Sequence, residues 1–259
     1  MTIDEIRSRW AAGETAWAGW LLTESPAAAD VLATAGFEAV VADLQHGSTT
    51  LNELPGIVAS IDRTSTVPFV RTAWNDPAEL MRVLDLGVRG VICPMVGSGG
   101  EAEEFVRACR YPPDGTRSYG PIRGAFGAGH EQARKANEDI LLFAMIETAE
   151  GLANVDEIAA TPGLDGLFVG PADLSLAIGL SSFADLTDPE LVKHLDDILA
   201  AAERHGRVPG IHAPVAERAA EMATRGFRFV SCGVDTELLR EGRRGRAPRG
   251  PRRPVGCRP

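Results

Sequence analysis

Two carboxylates stand where a charge needs a reason. Glu147 closes the apolar run LLFAMIET, and Asp173 closes LFVGPAD. A lone charge at the end of such a run is costly to bury unless it is paired or binds a metal. The two acids lie one strand–helix unit apart. In a parallel α/β sheet, strand ends are where ligands bind. Two acids from adjacent strands at that end suggest a site for a hard divalent cation. Other chemistry-bearing residues sit at equivalent places: Asp43, Gln45 and His46 after the second apolar run, Arg71 after the third, Pro94 and Met95 after the fourth. Each alone has a plain reading, as a helix cap, a rim ion pair or a loop histidine. Together they gather at one rim, where chance would scatter them between both ends.

The elements that must position them alternate. Strand-length runs at 16–23, 39–46, 67–73, 90–96, 140–148, 165–173, 208–213 and 227–235 are each followed by a helical pattern. Most runs are continuously apolar, as strands covered on both faces must be. Several helices begin with Pro or Asp and end in Gly. The helix expected over 76–87 carries Leu80, Val83, Leu84 and Gly87 on one stripe. Eight such units predict an α/β fold, a single (β/α)8 barrel. A doubly wound open sheet is the alternative. The first strand–helix turn, WLLTESPAAAD, lacks GxGxxG, which removes the main support for a dinucleotide fold, and no Walker loop is present.

Weaker candidates remain open. His130, His194, His205 and His212 fit no metal-ligand spacing; His212 ends the seventh run and has the chance to face the site. Trp10, Trp17 and Trp20 read as core or interface. The Gly-rich stretch 115–134 has the length of a lid or interface segment. Within it, Arg117 and Arg123 are equally suited to an anionic substrate or to a surface salt bridge.

Composition bounds the class. The chain of 259 residues is 44% hydrophobic and 24% charged, which suits one large globular domain. A formal net charge of −10 argues against nucleic acid and against an anionic membrane as partners. MTIDEIRSRWAAGE has acids where a signal peptide would be apolar, and no run reaches the ~18 residues of a membrane span. Cys93, Cys109, Cys232 and Cys257 are scattered without a CxxC, which suggests reduced thiols and a cytoplasmic setting.

DLQHG (43–47), PFVRTAWNDP (68–77), LDLGVRGVICPMV (84–96), RYPPDGTRSYGP (110–121), MIETAEGLANVDEIAATPGLDGLFVGPADLS (145–175) and IHAPVAERAAEMATRGFRFVSCGVD (211–235) resemble the HpcH/HpaI aldolase family. The resemblance runs in order from about residue 15 to 240. It implies a TIM barrel of the phosphoenolpyruvate/pyruvate type and a pyruvate-dependent class II aldolase. The family's type member cleaves 4-hydroxy-2-oxoheptanedioate, its relatives act on keto-deoxy sugar acids, and a distant branch holds CoA-ester lyases. Such an enzyme cleaves a 4-hydroxy-2-oxo acid to pyruvate and an aldehyde through a pyruvate enolate on the metal.

The resemblance also implies roles. Glu147 and Asp173 would ligate Mg²⁺, Mn²⁺ or Co²⁺. Backbone N–H groups of Gly170, Ala172 and Asp173 would meet the pyruvate carboxylate, and Arg71 would hold the oxygen that becomes the enolate. His46, oriented by Asp85, would move the proton on the aldehyde side; Asp43 would order water behind the metal ligands, with Gln45 and Met145 flanking. Many members carry Gln where this chain has Met145. A Lewis acid stabilises the enolate, a guanidinium adds to that, and histidine has the right basicity for the hydroxyl proton. A Schiff-base route would need a lysine, and neither Lys135 nor Lys193 ends a strand. The competing readings are a CoA-ester lyase of the same superfamily and a non-catalytic barrel that binds a 2-oxo acid. Family members pair through the last helix and build hexamers as trimers of dimers, so a homo-oligomer is expected. Here residues 1–242 read as the barrel. Residues 243–259 read as an irregular Arg/Pro/Gly-rich tail, because Gly242, Gly245, Pro248, Pro251 and Pro254 interrupt the helix; it reads as a truncated helix, a shifted reading frame or, less simply, a basic arm.

Overall fold

Each apolar run folds as a strand and each amphipathic segment behind it as a helix. The computed structural model describes residues 1–120 and 129–246, the side chains of 129, 130, 132 and 243–246 excepted. The strands are β1 (Ala16–Leu21), β2 (Ala39–Asp43), β3 (Val67–Arg71), β4 (Gly90–Cys93), β5 (Leu141–Ile146), β6 (Gly166–Val169), β7 (Val208–His212) and β8 (Phe229–Val234). All pair in parallel and in sequence order, and β8 closes on β1, so the fold is the (β/α)8 barrel and not the open sheet. The helices are α1 (Ile3–Ala11), α2 (Pro26–Thr34), α3 (Leu54–Ile61), α4 (Pro77–Asp85), α5 (Gly99–Cys109), α6 (Gly129–Glu138), α7 (Ala149–Ala153), α8 (Val155–Ala160), α9 (Pro171–Ala177), α10 (Pro189–Arg204), α11 (Ala216–Arg225) and α12 (Asp235–Arg246). Among the described residues no helix is long and apolar enough to cross a membrane.

Three elements differ from the sequence expectation. α1 was not anticipated, although Thr2 and Glu5 form a capping box, each side chain accepting from the other's backbone N–H. It plugs the N-terminal end of the barrel: Ile3 and Ile6 join the inner core, and Trp10 meets Phe143 and Phe229 edge-on at 5.9 and 6.0 Å. α6 takes part of the stretch expected to be a Gly-rich loop; residues 121–128, with Arg123, lie outside the described residues. α12 runs through Gly242 and Gly245 to Arg246, four residues past the expected barrel boundary. A helical glycine costs only about 1 kcal/mol, far less than a proline, and the first proline comes at 248. Residues 247–259, and with them most of the expected tail, lie outside the described residues.

Strand residues alternate between two cores. Ala18, Trp20, Val41, Phe69, Phe143, Met145, Phe168 and Phe229 fill the barrel, while Val40, Ala42, Val70, Leu142, Ala144 and Val230 face the helices. Phenylalanine rings fit inside because their neighbours in register are glycines: Phe69 lies beside Gly90, Phe143 beside Gly166 and Phe168 beside Gly210. A Cβ at those glycines would fall 2.1, 2.3 and 2.6 Å from the facing ring. The same alternation, carried one step further along β2, β3, β5 and β7, turns Asp43, Arg71, Glu147 and His212 inward. These residues form the top layer of the interior.

Candidate active site at the barrel rim

Asp43 and Arg71 are register partners at the ends of β2 and β3. Arg71 Nε donates to Asp43 Oδ1 at 3.0 Å, and Nη2 donates to Oδ2. Asp43 Oδ2 also accepts from Trp20 Nε1 at 3.1 Å, and Oδ1 accepts from the N–H groups of Gln45 and His46 at 3.0 and 3.1 Å. The Trp20 ring lies 5.2 Å from the Arg71 guanidinium carbon, within cation–π range. Burial pushes the Asp43 carboxyl up, but the contacts with Arg71, the His46 N–H and Trp20 together hold the group below its ordinary 3.8. One aspartate therefore fixes both the guanidinium and the turn that carries His46. Asp43, expected to order water behind the metal ligands, turns its oxygens to Arg71, Trp20 and the turn. Trp20, which reads from the sequence as core or interface, is a member of the site, and no local signal in the sequence distinguishes it from Trp17.

Glu147 is 1% exposed. Its Oε1 accepts from the Met95 N–H at 2.8 Å, and its Oε2 is buried without a hydrogen-bond partner. Burial raises its pKa to about 7; the Met95 amide opposes the shift, and the neighbouring Asp173 carboxylate adds to it. Asp173 stands in the first turn of α9, half-buried at the rim. α9 starts at Pro171, so the N–H groups of Ala172 and Asp173 belong to a first turn and lack intrahelical acceptors. Among the described residues no group of three or more His, Cys, Asp or Glu is arranged to hold a metal. A cation here would rest on two carboxylates, with oxygens of water and substrate completing its shell, as suits Mg²⁺ and similar hard ions.

The remaining expected residues are placed as follows. His46 is exposed on the turn after β2. Gln45 stands beside it, its Oε1 buried without a partner. Met145 is buried in the barrel directly below Glu147, within reach of Gly170. His212 faces inward at the end of β7, its Nδ1 2.7 Å from Ser231 Oγ and its ring 4.8 Å from Trp20. Burial and the nearby Arg71 lower its pKa to about 4, so it is neutral at pH 7. His194 and His205 lie on or just after α10, away from this rim, and the His130 side chain lies outside the described residues. A cavity of about 410 Å³ adjoins the site, lined by Pro171, Ala172, Phe183, Leu186, His212 and Val215 among others.

Asp85 stands apart from His46 within the protomer. It is the last residue of α4, which leaves the rim after β3 and returns to the opposite end of the barrel before β4. There it accepts from Arg117 Nη2 at 2.7 Å, and the Arg117 guanidinium stacks on Tyr111 at 4.4 Å. Within one protomer Asp85 cannot orient His46, and Arg117 does not reach the rim. The helix direction decides both.

Fold and rim together define a class: a (β/α)8 barrel with its polar groups at the C-terminal strand ends, where enzymes of this fold bind substrate. The chain belongs to the HpcH/HpaI aldolase/citrate lyase family, whose profile matches residues 18–242. It is 36% identical over 237 residues to a hydroxypyruvate/pyruvate aldolase of Rhizorhabdus wittichii, covering 92% of this chain and 94% of that one. It is 34% identical over 223 residues to a 5-keto-4-deoxy-D-glucarate aldolase of Shigella dysenteriae, covering 85% and 86%. A crystal structure of a family protein from Burkholderia cenocepacia superposes with a TM-score of 0.86 at 30% identity, covering 93% of this chain and 97% of that one. The chain is a carbon–carbon lyase of the aldolase kind.

Proposed function

We propose that this aldolase is of class II: with a divalent cation (Mg²⁺, Mn²⁺ or Co²⁺) held by Glu147 and Asp173, it cleaves a 4-hydroxy-2-oxo acid to pyruvate and an aldehyde. One observation carries the reading. Glu147 Oε2 is a buried carboxylate oxygen with no hydrogen-bond partner, next to a second carboxylate that raises its pKa further. A buried carboxylate disfavoured from ionising, with a second carboxylate beside it, fits a cation better than it fits any neighbouring protein group. When bound, such an ion supplies a Lewis acid at the oxygen where charge develops.

The chain's own residues supply the rest. Arg71 spends Nε and one Nη2 hydrogen on Asp43, which leaves its other donors for a substrate oxygen. The lock on Asp43 lets it act without reorganising. The first-turn N–H groups of Ala172 and Asp173 receive the substrate carboxylate; the Gly170 N–H, expected to join them, donates instead to the Ile146 carbonyl at 3.4 Å. His46, exposed on a turn pinned by Asp43, accepts the 4-hydroxyl proton. Trp20 and Met145 exclude water from beneath. The chain's two lysines, Lys135 and Lys193, are exposed on α6 and α10, so neither offers a Schiff-base amine inside the barrel. The relatives named for hydroxypyruvate and pyruvate support a small 2-oxo acid as the donor.

The same reading includes a homo-oligomer, supported by Leu238 and Leu239, 44% and 73% exposed on α12. Pyruvate release from a panel of 4-hydroxy-2-oxo acids, with and without EDTA, tests the function. Release that EDTA abolishes and Mn²⁺ restores is expected. Release indifferent to chelation overturns the class II assignment.

A further inference from the structure

The turn between β4 and α5 holds Met95 in a conformation its side chain disfavours. Its φ is 59°, in the left-handed region that non-glycine residues enter at a cost. What this conformation achieves is seen at the N–H, which donates to Glu147 Oε1 at 2.8 Å. The turn is fastened to the segment after β5 at two further places. Asn154 Nδ2 donates to the Gly97 carbonyl at 2.8 Å. Gly151 comes so near the turn that a Cβ there would lie 2.5 Å from the Val96 carbonyl oxygen. On the other flank, a Cβ on Gly170 would lie 2.3 Å from Glu147 Oε2 and 2.7 Å from Met145 Cε. The carboxylate is thus gripped through one oxygen and given clearance at the other.

We propose that Met95 is a positioning residue for the cation site. Its left-handed backbone fixes Glu147 through Oε1, so that Oε2 alone is offered to the ion in a gap kept open by the bare Cα of Gly170. The inference rests on the metal reading above. It also gives the hold a polarity. Because an N–H donor faces Oε1, an amide at position 147 must turn its oxygen to Met95 and its NH₂ toward the ion. Glu147→Gln therefore removes the ligand as completely as Glu147→Ala.

The test is Mn²⁺ affinity of chelator-stripped protein, read from the electron paramagnetic resonance signal of free Mn²⁺. Thermal unfolding of the metal-free proteins is the control for folding. Met95→Gly keeps the left-handed backbone and should bind within about threefold of the unaltered chain. Met95→Ile, β-branched at positive φ, and Gly170→Ala should each bind about tenfold or more weakly, the range typical of groups that orient metal ligands. Near-normal binding by both of these overturns the proposal. So does an equal loss in Met95→Gly, which would assign the effect to the thioether side chain. If Met95→Ile fails to fold, Gly170→Ala and Met95→Gly still decide. Failure of the unaltered chain to bind Mn²⁺ overturns the metal reading itself; binding there with no change in the variants overturns only the role of Met95.

Discussion

Arg71 and Asp43 stand in register on neighbouring strands and meet through both the Nε–Oδ1 and Nη2–Oδ2 contacts. Neither is solvent-exposed: Arg71 is 8% and Asp43 0% exposed. Breaking such a pair strands a buried charge, so Asp43→Asn should cost about 3–5 kcal/mol of stability at pH 7. Asp43 is held below its ordinary 3.8, so the stability it lends is present above that value and is lost as pH falls through its lower folded pKa. The variant's deficit should therefore shrink only in strong acid. Urea unfolding at neutral and acid pH checks this, and a deficit independent of pH would assign the loss to packing alone.

Glu147 runs the other way. Its folded pKa is about 7 against 4.5 unfolded, chiefly through burial. An acid raised on folding penalises the fold once the unfolded chain ionises. Metal-free protein should therefore lose stability as pH rises from about 4.5 to 7 and then level off, by about 3 kcal/mol in all. A cation held by Glu147, as proposed, would take the proton's place, so Mn²⁺ should raise Tm more at pH 8 than at pH 5. Equal Mn²⁺ shifts at both pH values would show that the ion does not compete for this carboxylate.

His46→Ala should separate two reactions. Under the proposed function Glu147, Asp173 and Arg71 are untouched, so exchange of pyruvate methyl protons with deuterium should persist. Aldol cleavage should fall by about 10²–10⁴-fold, the usual worth of a general base. NMR-monitored exchange beside a cleavage assay reads both, and parallel losses would move His46 to binding or enolisation.

Gly166→Ala probes the barrel that carries the site. The added Cβ would meet the Phe143 ring at 2.3 Å and the Val208 carbonyl oxygen at 2.4 Å. Overpacking of this kind costs about 1–3 kcal/mol. A denaturation midpoint shift equivalent to under about 0.5 kcal/mol, the scale of an ordinary surface change, would show that the ring moves aside freely.

The eight strand runs, their order and the polar residues closing them are legible in the sequence because burial on both faces leaves a continuous apolar signature. The period of two carries the reading to the rim: Asp43, Arg71 and Glu147 share parity with Val41, Phe69 and Met145, so they face the same interior. The Thr2–Glu5 capping box that starts α1 is likewise a signal local to the sequence.

Other features arise only when distant segments meet. Asp43 is anchored by Arg71 from the next strand and Trp20 from the one before, and nothing in 43–47 names either. Asp85 is paired with Arg117 across 32 residues, at the end of the barrel opposite His46, because α4 runs back down the wall before β4 begins. The left-handed Met95 and the clearance above Gly170 become visible only with Glu147 between them. Composition and periodicity report which face of an element is buried; which group meets which across that interior is decided by closure of the barrel, which brings residues far apart in the chain within hydrogen-bonding distance.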